Sequence, residues 1–444
     1  MTIALYLHTR DLRLTDNITL HTALQQSDIV QPLFILNPDQ LDPQSNKYFS
    51  SSAVAFMITS LLELKQQYKK LGYNLPILEG RPWEVLAPWT DKYKKLYISA
   101  DYTPYSKYRV EQLIQCGFEV IEIHNHLTFH PDQMKTKTNK YYEVYTPFWN
   151  SYQKQGKPVI LDEITQSITN EDKFKTVTDS RLNKLIKEYY TTDQQPGGRT
   201  VALELMNKVK NMNYGSDRNT ASIYTSRLSA HIKFGTVSIR EVYHHSPDSV
   251  YTSQLAWHDF YTLLAVQIGP DRTFGSSNYR RLNFDWPQDD EADKLFQSWK
   301  DGHTGYPIID AGMRQLKKEN WQHNRLRLLC SNFLVFGLGL DWRWGEQWYA
   351  QNLIDYDPCI NNGNWQWSAG VGIDRPRQWP RTYNLYKQSQ ECDPDCEYQR
   401  RYVPEISKLS NAQIHKLNQG SDSVHIIDYD TNKAYISSLY KSNE

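Results

Sequence analysis

Residues 3–7 (IALYL) and 29–36 (IVQPLFIL) begin a series of short apolar runs that occupies the first 130 residues. Further runs stand at residues 75–78, 96–100 and 118–123, and amphipathic segments stand between them at residues 51–71, 82–93 and 104–116. Apolar runs that alternate with helices indicate a parallel sheet whose two faces are covered by crossover helices. The sequence therefore predicts a doubly wound α/β domain over residues 1–130. No G-x-G-x-x-G pattern follows the first run, which excludes the usual dinucleotide-binding form of that fold.

The pattern changes after residue 130. Residues 131–195 contain His-Pro-Asp and Gly-Lys-Pro turns and a Lys-rich run, so we interpret them as a connector. Residues 196–444 carry apolar residues at helical spacing and no convincing strand, which predicts an all-α domain. We expect the polar segment after residue 406 to be partly disordered. The expected helices lie at residues 201–209, 237–244, 254–267, 291–300, 311–319, 325–338 and 344–353.

The composition excludes several classes of protein. Fifty Lys and Arg balance fifty Asp and Glu, so any binding of polyanions must come from a local patch and not from bulk charge. No run approaches the roughly 18 apolar residues of a membrane span, and the first residues lack the pattern of a signal peptide. The five cysteines, an odd number, argue against a disulfide framework, and Cys392 and Cys396 lack further ligands at metal-site spacing. We therefore expect a soluble intracellular protein with free thiols and no metal.

Tryptophan is unusually frequent, since the chain has 13 and ten of them lie between Trp257 and Trp379. A plain core prefers Leu, Ile and Val, because a buried indole N–H needs a hydrogen-bond partner. Dense tryptophan in one region indicates base stacking, cofactor packing or electron transfer. A helical core with many aromatic residues is the simpler alternative.

Two segments concentrate polar and basic side chains at the start of a helix. Residues 225–229 (TSRLS) place three hydroxyls and a cation at the start of a helical region, after the loop at residues 214–218 (YGSDR). Backbone N–H groups, hydroxyls and a guanidinium are the donors that a phosphate attracts, and a plain helix cap is the alternative. Residues 321–327 (WQHNRLR) bring an Asn and two Arg together, with an exposed basic turn as the alternative. We expect Arg327 to form an ion pair with Asp355.

The most specific segment is residues 355–367 (DYDPCINNGNWQW). Its apolar spacing does not fit a simple amphipathic helix, and Asn and Asp favour turns. Burying so many amides in a plain core is costly, because each one must find a partner. A large ligand with polar and aromatic parts, such as a flavin, would satisfy them. We therefore favour a functional role over a structural one.

Together these segments resemble the photolyase/cryptochrome family over most of the chain. The matching motifs occur in family order at residues 8–17 (HTRDLRLTDN), 101–105 (DYTPY), 225–229 (TSRLS), 254–261 (QLAWHDFY), 304–307 (TGYP) and 361–367 (NNGNWQW). The resemblance implies an α/β antenna domain at residues 1–130, a linker at 131–195 and a helical FAD-binding catalytic domain at 196–444. It also implies light-driven DNA repair, in which excited reduced FAD donates an electron to a dimerised pyrimidine pair, the pair splits and the electron returns.

The resemblance implies a set of FAD contacts. Asp357 is expected to hydrogen-bond the isoalloxazine, and Asn361 to face flavin N5 and tune its protonation. The pair of Arg327 with Asp355 is expected beside the ring. The hydroxyl-rich segment at residues 225–229 is expected to contact the pyrophosphate and ribityl groups. The full set of predicted FAD contacts is Tyr214, Thr225, Ser226, Arg227, Leu228, Ser229, Trp257, Asn324, Arg327, Asp355, Asp357 and Asn361.

Three tryptophans match the electron relay of the family. Trp365, Trp342 and Trp286 are expected to lead from the flavin to the surface. Together with Asn361 they form the predicted catalytic set.

The resemblance also implies a set of DNA contacts. A damaged pair must leave the duplex to be repaired, and poorly stacked damage costs least to extrude. Trp257 and Trp367 match the indoles that sandwich the extruded pair. The predicted DNA contacts are Arg218, Gln254, Trp257, Asn324, Arg325, Leu328 and Trp367. Arg375, Arg377 and Arg381 are candidate phosphate contacts, for which a solvated loop is the alternative.

The residues of the lesion pocket favour the cyclobutane dimer as substrate. Enzymes for that lesion carry Asn at the position of Asn324 and Trp at that of Trp367, whereas (6-4) enzymes place a catalytic His at the first position. Gln254, Leu328 and His258 stand where cyclobutane-dimer enzymes usually have Glu, Met and Arg. Gln254 also occurs in (6-4) enzymes, so that lesion stays an alternative.

Other members of the family supply two more alternatives. Residues 368–374 and 392–398 resemble DASH cryptochromes, although those proteins usually have Tyr at the position of Trp367. A signalling cryptochrome, which binds partners and does not repair DNA, is the alternative from a different class.

A second chromophore is also implied, because photolyases often carry a folate or deazaflavin antenna. Arg10, Asp101 and Lys107 are the candidate contacts for it. We expect a monomer that acts on UV-damaged DNA and has no membrane partner.

Overall fold

The computed structural model describes residues 1–165, 168, 174–191, 193–275, 277–373, 379–420 and 423–442. Packing divides the chain into two units. The first unit comprises Met1–Asn211 and Ser226–Gln267, and the second comprises Met212–Thr225 and Ile268–Glu444. The division by function at residues 130 and 195 stays a prediction.

The apolar runs form a parallel sheet in the described part of the first unit. Its strands are β1 (Ile3–His8), β2 (Ile29–Leu36), β3 (Ile77–Glu79), β4 (Lys95–Ser99) and β5 (Glu119–Ile123), in the order β3-β2-β1-β4-β5. Leu5, Leu33 and Leu96 are fully buried, as expected where helices cover both faces. The strand order reverses between β1 and β4, and α/β folds bind ligands outside the carboxyl ends of the strands at such a point. The predicted doubly wound fold is confirmed.

Helices follow the strands of the first unit and begin at polar caps. Asn17 Oδ1 accepts the N–H of Leu20 at 3.1 Å, and Thr103 Oγ1 accepts that of Ser106 at 3.3 Å. Numbered in chain order, the helices are α1 (Ile18–Gln26), α2 (Pro38–Leu41), α3 (Ser51–Lys70), α4 (Pro82–Leu86), α5 (Pro104–Gln115), α6 (Tyr145–Lys154), α7 (Asp179–Tyr189), α8 (Arg199–Val209), α10 (Ser229–Phe234), α11 (Ile239–His244) and, except for its last residue, α12 (Ser249–Ile268). Short 3-10 turns lie at Ala87–Trp89 and Pro131–Met134.

The described part of residues 131–195 contains more helix than its loop-like composition predicts. Both α6 and α7 lie in this segment, and Leu182 and Leu185 of α7 are buried. The helix packs against α3 through that apolar stripe. Leucines three apart are the helical signal that the turn-forming residues around them obscured.

All the secondary structure in the described part of the second unit is helical, which confirms the all-α prediction for this part of the chain. Its core is rich in aromatic residues and includes Trp299, Trp342, Trp365 and Phe333. The helices are α9 (Tyr214–Asp217), α13 (Pro270–Phe274), α14 (Asp290–Asp301), α15 (Pro307–Glu319), α16 (Asn324–Asn332), α17 (Trp342–Asn352), α18 (Pro358–Ser368), α19 (Leu385–Cys392), α20 (Glu397–Tyr402), α21 (Asn411–Leu417) and α22 (Tyr429–Ser442), with a π-helical turn at Phe333–Gly337 and a 3-10 turn at Pro404–Ile406.

The expectation of disorder after residue 406 is wrong for the described residues. Helices α21 and α22 lie there, and Tyr429 and Tyr440 are buried. The Tyr429 hydroxyl donates to Asn332 Oδ1 at 3.3 Å or to Tyr383 O at 3.2 Å, while its ring stacks on Phe333. A tyrosine buries a large apolar body and keeps a polar group satisfied, so a polar segment with few aliphatic residues still packs.

Most of residues 355–367 belongs to a helix, α18 (Pro358–Ser368), which their composition did not predict. Asp357 Oδ1 caps α18 by accepting the N–H groups of Cys359 and Ile360 at 3.0 and 3.1 Å. Gln366 Nε2 donates to Arg272 O at 2.8 Å, and Gln366 Oε1 accepts the N–H of Tyr279 at 2.6 Å. The segment is therefore a buried helix whose polar side chains bond to distant backbone, and amphipathic spacing cannot detect such a helix.

Among the helices that the structure describes, none combines the length and the hydrophobicity that a bilayer crossing requires.

Candidate active site

Two aspartates mark the start of α18. Asp355 Oδ2 accepts a hydrogen bond from Arg327 Nη2 at 2.8 Å, and the Asp355 side chain is only 4% exposed. Arg327 Nε also donates to Gln322 O at 3.0 Å, which fixes the guanidinium. The predicted pairing of Arg327 with Asp355 is confirmed. Asp357, two residues later, is buried at the helix cap, where aligned N–H groups favour a carboxylate.

Asn361 lies one turn after Asp357, and its N–H donates to Asp357 O at 2.8 Å. Asn361 Nδ2 donates to Glu346 Oε1 at 3.1 Å, and Glu346, on α17, is buried. The Tyr356 hydroxyl donates to the same carboxylate oxygen at 3.3 Å. Because the acid engages Nδ2, Oδ1 is the acceptor that Asn361 can offer to a ligand. Sequence analysis missed Glu346, although an acid inside a predicted helix beside tryptophans was a visible signal.

The three relay tryptophans all pack with the core of the second unit. Trp365 and Trp342 are 3% and 2% exposed, and Trp286 is half-buried at the margin of the same core. The Trp365 ring meets the edge of Tyr349 at 5.0 Å between centroids and lies against the backbone at Gly345. Two buried rings and one nearer the surface are the arrangement that a relay needs, and the relay stays a prediction.

A cluster of guanidinium groups surrounds His323. His323 is 1% exposed, and its Nδ1 accepts the N–H of Arg325 at 3.2 Å. Burial, together with the charges of Arg325, Arg327 and Arg218, lowers the pKa of His323 to about 4. Arg325 Nε is held by Asn219 Oδ1 at 3.2 Å. The second unit thus brings Arg218 and Arg325, both predicted DNA contacts, into one positively charged neighbourhood.

The predicted lesion contacts of α16 share one face of that helix. Asn324 is exposed in the first turn, and Leu328 is half-buried four residues later. Residues four apart on a helix are neighbours on its surface. Both side chains are therefore placed to meet the same ligand.

Trp367 is half-buried, and a guanidinium lies on its ring. The Arg381 guanidinium carbon stands 5.4 Å from the ring centroid of Trp367 and 5.4 Å from that of Tyr383. Arg381 is exposed, so it combines a cation–π contact with access to a phosphate. The other two predicted phosphate contacts of this loop, Arg375 and Arg377, lie outside the described residues.

In the first unit, α12 carries Gln254 and Trp257 nearly one turn apart. Gln254 Nε2 donates to Val250 O at 3.1 Å or to Ser253 Oγ at 2.9 Å. The Trp257 ring is half-buried, and the Tyr145 ring lies parallel to it. Sequence analysis missed Tyr145, because it belongs to the segment interpreted as a connector.

The hydroxyl-rich segment has an unusual backbone. Arg227 has a φ of 55°, a left-handed conformation that is uncommon for residues other than glycine. Gln195 holds it there, because Gln195 Nε2 donates to Arg227 O at 2.9 Å and Gln195 Oε1 accepts from Arg227 Nε at 3.3 Å. Leu228 is buried and Ser229 begins α10, while Thr225 and Tyr214 belong to the second unit. Sequence analysis did not identify Gln195.

Charged groups gather at the carboxyl edge of the sheet, where the strand order reverses. Arg10 Nη1 lies 3.5 Å from Asp101 Oδ2, while Lys107 is exposed. Arg109 is 7% exposed, and its Nη2 donates to Ser106 Oγ at 2.7 Å. Its Nε is buried and has no hydrogen-bond partner within the described residues.

The residues of the second unit fit a flavin nucleotide. Because His323 Nδ1 accepts a hydrogen bond, Nε2 carries the proton of the neutral ring, and this buried N–H has no partner within the described residues. Leaving such a donor unmet costs about 1–3 kcal/mol, so an acceptor from a ligand would stabilise it. Carboxylate and amide groups for the polar edge of a flavin stand at Asp357 and Asn361, at the start of α18, which packs against α16. These residues can hold FAD.

Comparison with known proteins defines the class. Residues 251–443 match the family model described as the FAD binding domain of DNA photolyase, and residues 4–166 match the model described as DNA photolyase. The chain is 30% identical to the deoxyribodipyrimidine photo-lyase of Synechococcus, over 98% of this chain and 96% of that protein. It is 27% identical to the chloroplastic/mitochondrial cryptochrome DASH of Arabidopsis thaliana, over 91% of this chain and 76% of that protein. The archaeal photolyase of Sulfolobus tokodaii, whose structure contains two FAD molecules, is 33% identical with a TM-score of 0.87, covering 99% of this chain and 100% of that chain.

The fold and the matched domains define a flavoprotein with an α/β domain before an FAD-binding helical domain. The chain belongs to the DNA photolyase family. The predicted resemblance and the FAD cofactor are confirmed. The roles of the individual site residues, apart from the contacts described above, stay predictions.

Proposed function

We propose that this protein repairs cyclobutane pyrimidine dimers in DNA with the energy of absorbed light. The observation that carries the proposal is the similarity, over nearly the whole length of both chains, to a relative named deoxyribodipyrimidine photo-lyase. Asn324 and Trp367 support the choice of lesion, since the family resemblance assigns that pair of residues to cyclobutane-dimer enzymes. FAD, when bound in its reduced form, supplies the photo-excited electron that splits the dimer.

The residues around α18 would hold the flavin. Asp357 would accept a hydrogen bond from the isoalloxazine, and Asn361 would offer Oδ1 to N5 because Glu346 restrains its Nδ2. Arg327 and Asp355 neutralise each other, so the pair would place polar groups beside the ring with little net charge. The hydroxyls and N–H groups of residues 225–229 would take the pyrophosphate and ribityl oxygens.

The lesion would be held by stacking and by charge. Trp257 and Trp367 would stack on the two bases of the extruded dimer, at about 1–3 kcal/mol for each base. Arg218, Arg325 and Arg381 would bind phosphates of the damaged strand, which positions the DNA and carries no sequence information. A monomer would suffice for this reaction, and UV-damaged DNA inside the cell is the expected partner.

Because Gln254 also occurs in (6-4) enzymes, the identity of the lesion needs an experimental test. Its amide can hydrogen-bond the carbonyl and imide groups of thymine, but it cannot hold a negative charge as the usual Glu does. The test is to illuminate the purified, reduced protein with oligonucleotides that contain either a cyclobutane dimer or a (6-4) photoproduct, with dark controls. We expect light-dependent loss of the cyclobutane dimer alone. Repair of the (6-4) product alone would select the alternative. Repair of neither lesion by the reduced protein, together with photoreduction of the flavin in the oxidised protein, would select a photoreceptor.

We also propose that a second chromophore binds at the carboxyl edge of the sheet. The support is the pair of Arg10 with Asp101 and the buried, unmatched Nε of Arg109, which lie beside the point where the strand order reverses. The Sulfolobus tokodaii relative contains two FAD molecules. An absorption spectrum of the purified protein before and after release of its cofactors tests this, since one FAD per chain and no other chromophore would contradict it.

A further inference from the structure

Trp257 does not stand alone, because Tyr145 covers one face of its indole. The two ring centroids are 3.4 Å apart and the planes differ by 4°. We propose that Tyr145 is a positioning residue for lesion binding, which holds the Trp257 indole in the orientation that an extruded base stacks on. This inference rests on the proposed repair function and assigns a role to Tyr145, which lies in a segment predicted only as a connector.

Tyr145 is itself fixed by contacts with α12 and its neighbours. Its hydroxyl donates to Ser253 O at 2.7 Å, one turn before Trp257 on the same helix. Its ring meets the ring of Phe260 nearly at a right angle, 5.6 Å between centroids, and Phe260 is 1% exposed. Tyr145 is thus tied at both ends of its side chain to the helix that carries the indole.

The remaining contacts of Trp257 restrict the indole further. Phe260 meets it edge to face at 5.5 Å, and Tyr261 lies 5.5 Å away with its ring inclined by 27°. Trp257 is still half-buried, so part of it stays accessible. A side chain that is already oriented loses less conformational entropy when a base stacks on it, and this raises affinity without any new contact to the ligand.

The same geometry has a second interpretation, in which Tyr145 occupies the position of the base and must leave when the lesion binds. The hydroxyl bond to Ser253 and the packing on buried Phe260 favour a permanent support over a plug. The two interpretations predict opposite changes in lesion affinity when the Tyr145 ring is removed. Removal of a support weakens lesion binding, whereas removal of a plug strengthens it.

The experiment measures dissociation constants in the dark for a cyclobutane-dimer duplex and for the matching undamaged duplex. Tyr145→Leu should weaken binding of the dimer about 3- to 10-fold, with binding of undamaged DNA and FAD content within 2-fold of the unmodified protein. Tyr145→Phe keeps the stacked ring and should restore most of the affinity. Tyr142→Leu, the same change at a ring that packs 6.0 Å from Phe148, is the matched control and should have no effect.

A double-mutant cycle separates positioning from general loss of structure. In a Trp257→Ala background, Tyr145→Leu should have no further effect on lesion binding, because the indole that it orients is absent. An equal loss in both backgrounds, or tighter binding by Tyr145→Leu, would overturn the inference. If the unmodified protein does not prefer the dimer, the proposed function itself fails and the inference fails with it. Should Tyr145→Leu not fold, Tyr145→Met fills a similar volume without an aromatic face and carries the same expectations.

Discussion

A methyl group added at Gly345 should displace Trp365. Gly345 lies in α17, and a Cβ on it would stand 2.6 Å from Trp365 Cζ3, closer still to Cη2, and 2.5 Å from Leu334 Cδ2. Carbon atoms prefer separations of about 3.5–4.0 Å, so the overlap is about 1 Å. The end of a leucine can rotate away. The indole is a rigid ring that moves only as a whole, and Tyr349 meets it edge-on at 5.0 Å.

The expected magnitude is a balance of two effects. Alanine is favoured over glycine in a helix by about 1 kcal/mol. Overpacking of a filled core costs about 1–3 kcal/mol. The net loss for Gly345→Ala should therefore be about 1 kcal/mol, which lowers the melting temperature by about 2–4 °C in a unit of this size.

Thermal unfolding of the FAD-loaded protein measures this loss, and Trp365→Phe supplies the control. Phenylalanine lacks the atoms that the new methyl would strike, so Gly345→Ala in that background should raise the melting temperature and not lower it. The displaced indole should also slow photoreduction of oxidised flavin in the single variant. An equal fall in melting temperature in both backgrounds would refute the reasoning, because the cost would not then come from Trp365.

Four further outcomes follow from the site. Trp257→Ala should weaken binding of a dimer-containing oligonucleotide by about 1–3 kcal/mol with FAD content unchanged, and Trp149→Ala should not; equal affinities in a titration would remove the stacking role. Trp342→Phe should slow photoreduction of oxidised flavin while pre-reduced protein still repairs, with Trp344→Phe on the same helix as the control; a rate equal to that of the unmodified protein counts against the relay. The logarithm of the affinity for the lesion should fall linearly with the logarithm of the salt concentration, because phosphate contacts release counterions. An affinity that does not change with salt would contradict the proposed phosphate contacts. Burial lowers the pKa of His323 to about 4, below the value of about 6.5 in an unfolded chain, so stability should be lost as the pH falls from 6.5 towards 4. His323→Asn keeps a capping acceptor, and its free energy of unfolding should fall by about 1–2 kcal/mol less than that of the unmodified protein between pH 7 and pH 5. Melting temperatures at the two pH values measure this, and an identical fall in both proteins would show that His323 is not buried as a neutral group.

The strands were predictable because each one is a local signal. A strand buried on both faces must be apolar along its length, as β2 is, and no distant residue alters that requirement. The helix α18 was not predictable in the same way. Its stability depends on partners such as Arg272 O and the N–H of Tyr279, which lie about 90 residues away in sequence.

The residues of the candidate site also fall into those that the sequence predicts and those that only the folded structure reveals. Motif matching found Arg327, Asp355 and Asn361, because residue type and order are enough to recognise them. It could not find Glu346 or Tyr145, whose importance comes only from what they touch. Neither belongs to a motif, and each contacts a predicted residue only once the chain has folded.

The sequence by itself determined the α/β and helical architecture, the family and the cofactor, because apolar periodicity and ordered motifs are properties of the chain read in one dimension. The tertiary structure alone decided which groups restrain the functional side chains, that the tail folds on buried tyrosines and that a polar segment becomes a buried helix. The physical reason is that burying a polar group costs free energy unless a partner meets it, and the partners come from segments that only folding brings together.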